Sequence, residues 1–317
     1  MKPQMNVLDS VAGLEEVTAG VRGMTNRSRI LDRPPLAFLH VFKTGGTTVS
    51  DWLDSRYAAD DSLICEDPWH FRRIGETETE SGDVYLSKEV IRGHFFLPDG
   101  LEYARLHHKY PRLFFTVIRS PEAQLMSSLW HGVSHTNNLV AGRDHPALDF
   151  SKYRRAMVAE AASFRRNNTG MQLSFFLNVP PRRRFWVLER KKDIAATAEY
   201  LARRALETIH IVGLSDRLAD TLRILSWHME WPAPRQFSDA RVSGAGRQQM
   251  DEEIKALLWR HLMFDQALYA EANRRFMRDY EMLCSAAGSA ENIDDFLDVR
   301  AEKHTQSALI AKQGPVS

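Results

Sequence analysis

Short, uninterrupted runs of apolar residues alternate along the chain with segments whose apolar residues recur at helical spacing. Such runs are typical of strands that are buried on both faces of a sheet. They predict strands at residues 36–42, 90–96, 113–118, 185–188 and 209–212. Because helical segments separate these strands, the pattern indicates an α/β fold, a three-layer sandwich with a mostly parallel central sheet.

Helical spacing predicts the segments that cover this sheet. Helices are expected at residues 49–57, 121–130, 194–206, 218–227 and 250–280. The last segment is expected to contain two helices, with Asp265 as the N-cap of the second. Residues 60–88 are acidic and irregular, and are expected to form a surface loop.

The chain reads as one domain with an extension at each end. Neither a repeat of fixed period nor a linker rich in Gly, Pro or Ser divides it. Residues 1–33 form an N-terminal extension that is closed off by the Asp-Arg-Pro-Pro run before the first strand. Residues 34–285 form the domain, and residues 286–317 lose helical periodicity and are expected to fray as a C-terminal tail.

Composition narrows the class of protein. Of 317 residues, 44% are hydrophobic and 26% charged, which excludes disordered, collagen-like and coiled-coil proteins. The 42 Lys and Arg balance 41 Asp and Glu, so bulk charge provides no attraction to nucleic acid or anionic membranes. Two cysteines make neither a disulfide framework nor a cysteine zinc site. Without a membrane span or a secretory apolar region, a soluble, cytoplasmic protein is expected.

A glycine-rich turn joins the first predicted strand to the first predicted helix. It reads Lys43-Thr44-Gly45-Gly46-Thr47-Thr48. Glycines allow the backbone to wrap around an anion, and the helix that follows presents unpaired N–H groups at its positive end. The glycines alone would equally suit a tight turn, but the lysine and three threonines favour phosphate or sulfate binding. The lysine precedes the glycines, so the standard nucleotide-hydrolase motif is absent, as is the dinucleotide fingerprint.

Residues 40–48 resemble the phosphosulfate-binding loop of the carbohydrate sulfotransferase family, of the heparan sulfate 2-O-sulfotransferase type. The family loop reads H-I-P-K-T-G-G-T-S, and here Phe42 replaces the proline and Thr48 the serine. The resemblance implies a sulfotransferase domain at residues 34–285 with a P-loop NTPase-like fold. It also implies 3′-phosphoadenosine 5′-phosphosulfate as co-substrate, bound by Lys43, Thr44, Gly45, Gly46, Thr47 and Thr48.

A second segment resembles the part of the family that binds the 3′-phosphate of the donor. The family pattern R-D-P-x-x-R-x-x-S opens a helix, and Arg119 and Ser127 keep its first and last residues. Ser120 replaces the aspartate and Gln124 the second arginine, so one positive charge is lost. An arginine at a strand end can form two parallel charge-assisted hydrogen bonds with a phosphate. Taken alone, Arg119 or Ser127 would more often be a surface residue without a ligand.

His94 is the candidate general base, since many family members carry a Gly-His-Phe-like segment here. An acceptor hydroxyl must lose its proton as it attacks sulfur, and an imidazole titrating near neutrality can take that proton. A lone histidine at a strand end is more often structural. His40, His131 and His135 are weaker candidates, with core or surface roles preferred.

Softer likenesses follow these two motifs, and together all the matches run in family order from about Leu36 to Cys284. The softer likenesses lie at residues 167–172, 212–217 and 265–269, and are interpreted as architectural. The segment at 241–247, with two glycines between arginines, is a weak candidate for a mobile loop over the donor.

The predicted function is sulfuryl transfer from the donor to a hydroxyl, with Lys43 and His94 as the catalytic residues and no metal. Two alternatives remain: a P-loop-like nucleotide kinase or hydrolase, and a non-catalytic relative that binds the donor. The acceptor could be a glycan, a glycolipid or a small alcohol. Basic clusters at residues 165–166 and 182–184 could meet an anionic sugar chain, although solvated faces are the simpler reading of each.

Overall fold

The computed structural model describes residues 35–68, 88–98, 100, 112–136, 155, 158–159, 170–177, 194–235 and 252–313. Within them, five strands form one sheet in the order β2-β3-β1-β4-β5, and all four pairings are parallel. The strands are β1 (Leu36–Leu39), β2 (Ser62–Cys65), β3 (Val90–Gly93), β4 (Leu113–Ile118) and β5 (Ile211–Leu214). The predicted α/β class with a parallel central sheet is therefore confirmed.

Helices connect and cover these strands. They are α1 (Gly46–Asp54), α2 (Pro121–Thr136), α3 (Met171–Leu177), α4 (Ile194–Leu206), α5 (Leu218–Met229), α6 (Glu252–Ala287) and α7 (Ile293–Gln313). Single turns of 3₁₀-helix at Ala59–Asp61 and Ser215–Arg217 precede β2 and α5.

The core lies along the central strands. Every residue of β1, β3 and β5 is buried, as expected for strands covered on both faces. Phe38 of β1 and Phe115 of the adjacent β4 are both inaccessible, and their rings stack with centroids 5.1 Å apart. This packing fixes β1 against β4 and holds the loops that follow the two strands next to each other.

Three predicted strand boundaries need correction. The strand expected at 36–42 ends at Leu39, before the glycine-rich turn. The strand expected at 90–96 ends at Gly93, whose φ of 126° turns the chain out of the extended conformation. The strand expected at 209–212 begins at Ile211, because the N–H of Ile209 still donates to Leu206 at the end of α4.

The loop predicted at 60–88 contains a strand that the pattern did not indicate. Among the described strands β2 pairs with β3 alone and is the outermost on that side, and its Ile64 is exposed. An edge strand lacks the continuous apolar run that identifies a central strand, so the acidic surroundings dominated the prediction.

The two helices predicted at 250–280 are one helix of 36 residues, α6. Asp265 lies inside this helix and is buried, so it does not begin a second one. Its carboxylate instead accepts hydrogen bonds from two main-chain N–H groups at the start of α3. The N-cap prediction is therefore wrong, and the N–H groups that Asp265 accepts from belong to a helix earlier in the chain.

The predicted fraying after residue 285 is wrong, because α7 extends through most of that segment. Ile293, Leu297 and Ala301 recur every four residues and are buried, which gives the helix an apolar stripe. Asp294 at its start accepts two hydrogen bonds from Arg223 of α5, at 2.8 and 2.9 Å. These contacts hold α7 on the body of the domain.

Several predictions lie outside the described residues: the extension at 1–33, the strand at 185–188, the loop at 241–247 and the basic clusters at 165–166 and 182–184. In the part of the chain that is described, no helix is long and apolar enough to cross a membrane.

Candidate functional site

The strand order makes a topological switch point between β1 and β4, and the space beyond the carboxyl ends of these two strands is called the crevice below. From β1 the chain continues to β2, at one end of the strand order, whereas from β4 it continues to β5, at the opposite end. Ligands of parallel α/β sheets bind at such a switch point, outside the carboxyl ends of the strands. Lys43 follows β1, His94 follows β3 and Arg119 follows β4, so the sheet brings the three principal predicted residues to the same edge.

The loop after β1 has an unusual backbone. Lys43 and Gly45 both adopt left-handed conformations, with φ of 62° and 86°, and Gly46 begins α1. The glycine at 46 is required by space, since a Cβ there would lie 1.9 Å from Cδ2 of His40. Left-handed residues just ahead of a helix start help main-chain N–H groups to converge on an anion.

Three consecutive carbonyl groups of this loop are held by side chains. A carbonyl oxygen facing the crevice would repel an anion, whereas a bonded one leaves the N–H groups at the start of α1 as the polar groups open to a ligand. The bonds run from Thr44 Oγ1 to Val41 O at 2.9 Å, from Gln124 Nε2 to Phe42 O at 3.0 Å, and from Arg119 Nη1 to Lys43 O at 3.1 Å.

Two cations share the mouth of the crevice. Burial lowers the pKa of Lys43 from its ordinary value, and the nearby charge of Arg119 lowers it further. Burial also lowers the pKa of Arg119, while the carboxylate of Asp216, just after β5, acts in the opposite direction. Burying two positive groups together is unfavourable unless negative charge compensates them. The electrostatics therefore favour an anionic ligand between β1 and β4.

His94 is held in one orientation and one tautomer. Its Nδ1 lies 2.7 Å from the main-chain oxygen of His40, and because a carbonyl only accepts, Nδ1 carries the proton. The other ring nitrogen, Nε2, therefore keeps its lone pair. Burial lowers the pKa of His94 below the usual 6.5, with the hydrogen bond to His40 and the charge of Asp67 acting against it. The ring is thus neutral at pH 7 and can accept a proton.

Aromatic rings surround this histidine. The ring centroids of His40 and Phe42 lie 4.3 and 4.0 Å from that of His94, and Phe175 of α3 contacts Phe42 edge-on at 5.2 Å. Phe42, which occupies the family's proline position, is 38% exposed. Burial and the charges of His94 and Lys43 lower the pKa of His40 to about 3, so His40 is a neutral packing residue.

The remaining predicted binding residues differ in what they can offer. The side chain of Thr44 is fully buried and its hydroxyl is committed to Val41, so only its main chain is open to a ligand. Thr47 and Thr48 are half-buried on the first turn of α1. Ser127 is buried in the second turn of α2, and its contact with the donor stays a prediction.

Two residues that sequence reasoning treated as architectural hold Arg119 in place. The side-chain amide of Gln172 pairs with its main chain: Oε1 accepts from Arg119 N at 3.1 Å, and Nε2 donates to Arg119 O at 2.8 Å. Asp265 in turn accepts from the N–H groups of Gln172 at 3.3 Å and Leu173 at 3.0 Å. Both residues stood in segments noted for their likeness to the family, which was the available signal.

Gln124 also has a role that its sequence position did not reveal. It replaces an arginine of the family pattern and is almost fully buried, where its amide donates to Phe42 O. The substitution therefore removes a charge from the crevice but adds a support for the anion loop.

No group of three or more His, Cys, Asp or Glu side chains is arranged to hold a metal ion within the described ranges. Searches against models of known protein families and against curated proteins find no match for this chain.

Proposed function

We propose that the protein is a sulfotransferase that moves a sulfuryl group from 3′-phosphoadenosine 5′-phosphosulfate to a hydroxyl of a glycan or another alcohol. The observation that carries this proposal is the convergence of Lys43 and Arg119 on one left-handed loop at the switch point. A neutral base, His94, stands at the end of the neighbouring strand. The two cations suit a donor that carries phosphate and sulfuryl groups, and the base suits an acceptor hydroxyl that must lose its proton.

Lys43 and the main-chain N–H groups at the start of α1 would bind the phosphate that bears the sulfuryl group. When the sulfur–oxygen bond breaks, negative charge builds on the bridging oxygen of that phosphate. A half-buried ammonium group stabilises such charge more strongly than a fully hydrated one, because solvent screens it less. Arg119 and Ser127 would hold the 3′-phosphate and so fix the position of the donor.

His94 would act as the general base. The acceptor hydroxyl gives its proton to Nε2 as its oxygen forms the new bond to sulfur, and the old bond to the bridging phosphate oxygen breaks with its electron pair. The hydrogen bond from Nδ1 to His40 O becomes stronger as the ring gains charge, which favours the proton transfer. The co-substrate supplies the activated sulfate, and the protein residues orient it and move the proton.

Sequence supports the finer assignment of the fold. The loop at residues 40–48 and the segment at 117–127 resemble the two specific motifs of carbohydrate sulfotransferases. Both follow parallel strands that are direct neighbours in the sheet. We therefore propose the P-loop NTPase-like sulfotransferase fold for residues 34–285, with α7 packed on it.

The test is a transfer assay on the purified full-length chain with sulfur-labelled donor and a panel of neutral and sulfated glycans, glycolipids and small alcohols. We expect labelled product without added divalent cation. Phosphoryl transfer or hydrolysis that needs ATP and Mg²⁺ would support a nucleotide kinase or hydrolase instead. Tight binding of the donor with no turnover on any acceptor would support a non-catalytic relative.

A further inference from the structure

A chain of hydrogen bonds connects the middle of α6 to the anion loop. It passes from Asp265 to the main chain of Gln172, from the side chain of Gln172 to the main chain of Arg119, and from the guanidinium of Arg119 to Lys43 O. Gln172 is fully buried and Asp265 nearly so. These hydrogen bonds link four segments that are far apart in sequence, at residues 43, 119, 172 and 265.

The side-chain amide of Gln172 bonds both main-chain polar groups of Arg119, its N–H and its carbonyl. With Oε1 on the N–H and Nε2 on the carbonyl, it pairs with the main chain as a neighbouring strand would at the end of β4. A residue just beyond a strand has no such support from the sheet itself. The backbone from which the guanidinium extends is therefore fixed by this one side chain.

Asp265 in turn holds the main chain of Gln172. Its two carboxylate oxygens accept from the N–H groups of Gln172 and Leu173, which are among the unpaired donors at the start of α3. A carboxylate is a strong acceptor here because both donors belong to a helix start. α3 has seven residues and would have little stability without this anchor.

We propose that Gln172 and Asp265 are positioning residues of the donor site, which set the orientation of Arg119 and through it the conformation of the anion loop. The effect on donor binding rests on the proposed function, whereas the link from these residues to the anion loop does not. The hydrogen bonds of both side chains run to main-chain groups of the protein, so each would act on the donor only through Arg119. Loss of either should weaken donor binding in the ground state and the transition state alike, which raises KM and changes kcat little.

The main test measures binding of 3′-phosphoadenosine 5′-phosphate by the full-length protein in a double-mutant cycle. Replacing Gln172→Met should raise Kd about tenfold, since two hydrogen bonds that order a charged group are lost. In an Arg119→Met background the same change should add less than about twofold, because the group that Gln172 positions is gone. An equal factor in both backgrounds, or an unchanged Kd in the single variant, would overturn the proposal.

Two further variants separate positioning from folding. Ser174→Ala alters the same short helix, where the Ser174 hydroxyl donates to Met171 O without touching Arg119, and it should leave Kd unchanged. Gln172→Glu keeps the acceptor for Arg119 N–H and loses the donor to Arg119 O, so an intermediate Kd is expected if the methionine variant is too unstable to measure. A Kd increase in Ser174→Ala as large as in the glutamine variants would mean that α3 acts only through general stability.

Hydrogen exchange tests the same link without any ligand. The Arg119 amide is bonded to Gln172 Oε1, so its exchange should accelerate in Gln172→Met and in Asp265→Asn but not in Ser174→Ala. If the wild-type protein binds no 3′-phosphoadenosine 5′-phosphate, the proposed function fails, and faster exchange in the two variants still supports the positioning link. Unchanged exchange in both variants would refute it.

Discussion

Arg119 donates a hydrogen bond to the main-chain oxygen of Lys43, although the side chains of the two residues repel each other. The bond holds the carbonyl of a residue with a φ of 62°, a conformation that costs an L-residue about 1–2 kcal/mol. Lys43 thus combines a strained backbone conformation with repulsion from a neighbouring positive charge. Such a combination is typical of backbone that is fixed for a ligand, and the two positive charges favour an anionic one.

Replacing Lys43→Gly should separate the charge of this residue from its backbone conformation. Glycine adopts positive φ without strain, so the variant should be as stable as the wild type or more stable by about 1 kcal/mol. Sulfuryl transfer should fall about 100- to 1000-fold, as when one stabilising donor is removed from a leaving oxygen. Thermal unfolding and initial rates measure the two effects.

Lys43→Ala provides the comparison for the glycine variant. Alanine loses the charge equally but keeps the steric penalty, so it should match the glycine variant in rate and be less stable. Lys255→Ala controls for the loss of one positive charge, because Lys255 is exposed on α6 and should be replaceable without loss of rate. Wild-type rates in Lys43→Gly would exclude a catalytic role for the ammonium group.

His94→Asn should abolish base catalysis and preserve the local structure. The asparagine amide can replace Nδ1 as donor to His40 O, and it has no group in place of the Nε2 lone pair. We expect kcat to fall about 100- to 10,000-fold, the range for removal of a general base. The Kd of 3′-phosphoadenosine 5′-phosphate should change less than about twofold. A variant that keeps kcat would show that another group takes the proton.

The pH profile should report the environment of His94. The ring acts as a base only when it is neutral, and burial lowers its pKa, so the acid limb of kcat should lie below pH 6.5. In Phe42→Ala, water reaches the ring that Phe42 covers, which raises the pKa of His94 toward its ordinary value. The acid limb should then move to higher pH.

A pH series of single-turnover rates measures this shift. Tyr200→Ala is the matched control, since it removes an aromatic ring of similar exposure from α4. Its acid limb should coincide with that of the wild type. A limb that stays in place in Phe42→Ala, or that moves to lower pH, would contradict the assignment of His94 as the titrating base.

The elements that sequence predicted best are those whose signal is local. The pattern predicted β4 as residues 113–118 and α4 as residues 194–206, and the structure has the same bounds. One is a continuous apolar run and the other has regular helical spacing. β2 gave no such signal, because the pairing that makes it a strand is with β3, more than twenty residues later in the chain.

The charged residues of the candidate site stand out in the sequence, and the neutral amides that hold them in place do not. Lys43 and Arg119 have chemistry that points to anions in any context, and His94 stands out as a base. Gln124 and Gln172 act on main-chain atoms that only the folded structure brings to them. Asp265 shows the same limit, since the sequence predicted it as the N-cap of a helix that begins there, whereas it accepts hydrogen bonds from the start of α3.

Acid should destabilise the protein through a histidine outside the crevice. Burial, with the charges of Arg275 and His228, lowers the pKa of His210 to about 4. In the unfolded chain the ordinary value of about 6.5 applies, so at lower pH the unfolded state binds the proton that the folded state refuses. His210 should therefore reduce the free energy of unfolding by about 1.4 kcal/mol per pH unit between pH 6.5 and 4.

His210→Asn removes this titration and keeps the hydrogen bond. Nδ1 of His210 accepts from Phe114 N–H at 3.0 Å, and an asparagine oxygen can take its place. The variant should be less stable than the wild type at pH 7, where the stacking of His210 on Phe114 is lost, and should lose stability less steeply as the pH falls. Urea unfolding at a series of pH values gives both slopes, and parallel slopes would show that His210 binds its proton equally in the folded and unfolded states.

The C-terminal helix should contribute to the stability of the whole domain. Leu297 of α7 is 1% exposed and belongs to the same core cluster as β1 and β4, so Leu297→Ala should cost about 2–5 kcal/mol. Val299, two residues later, is 49% exposed, and Val299→Ala should change the free energy of unfolding by no more than about 0.5 kcal/mol. Urea unfolding of both variants should show a single transition, displaced only for Leu297→Ala. A domain that ended at residue 285 would instead unfold identically in the two variants, because neither side chain would then be part of its core.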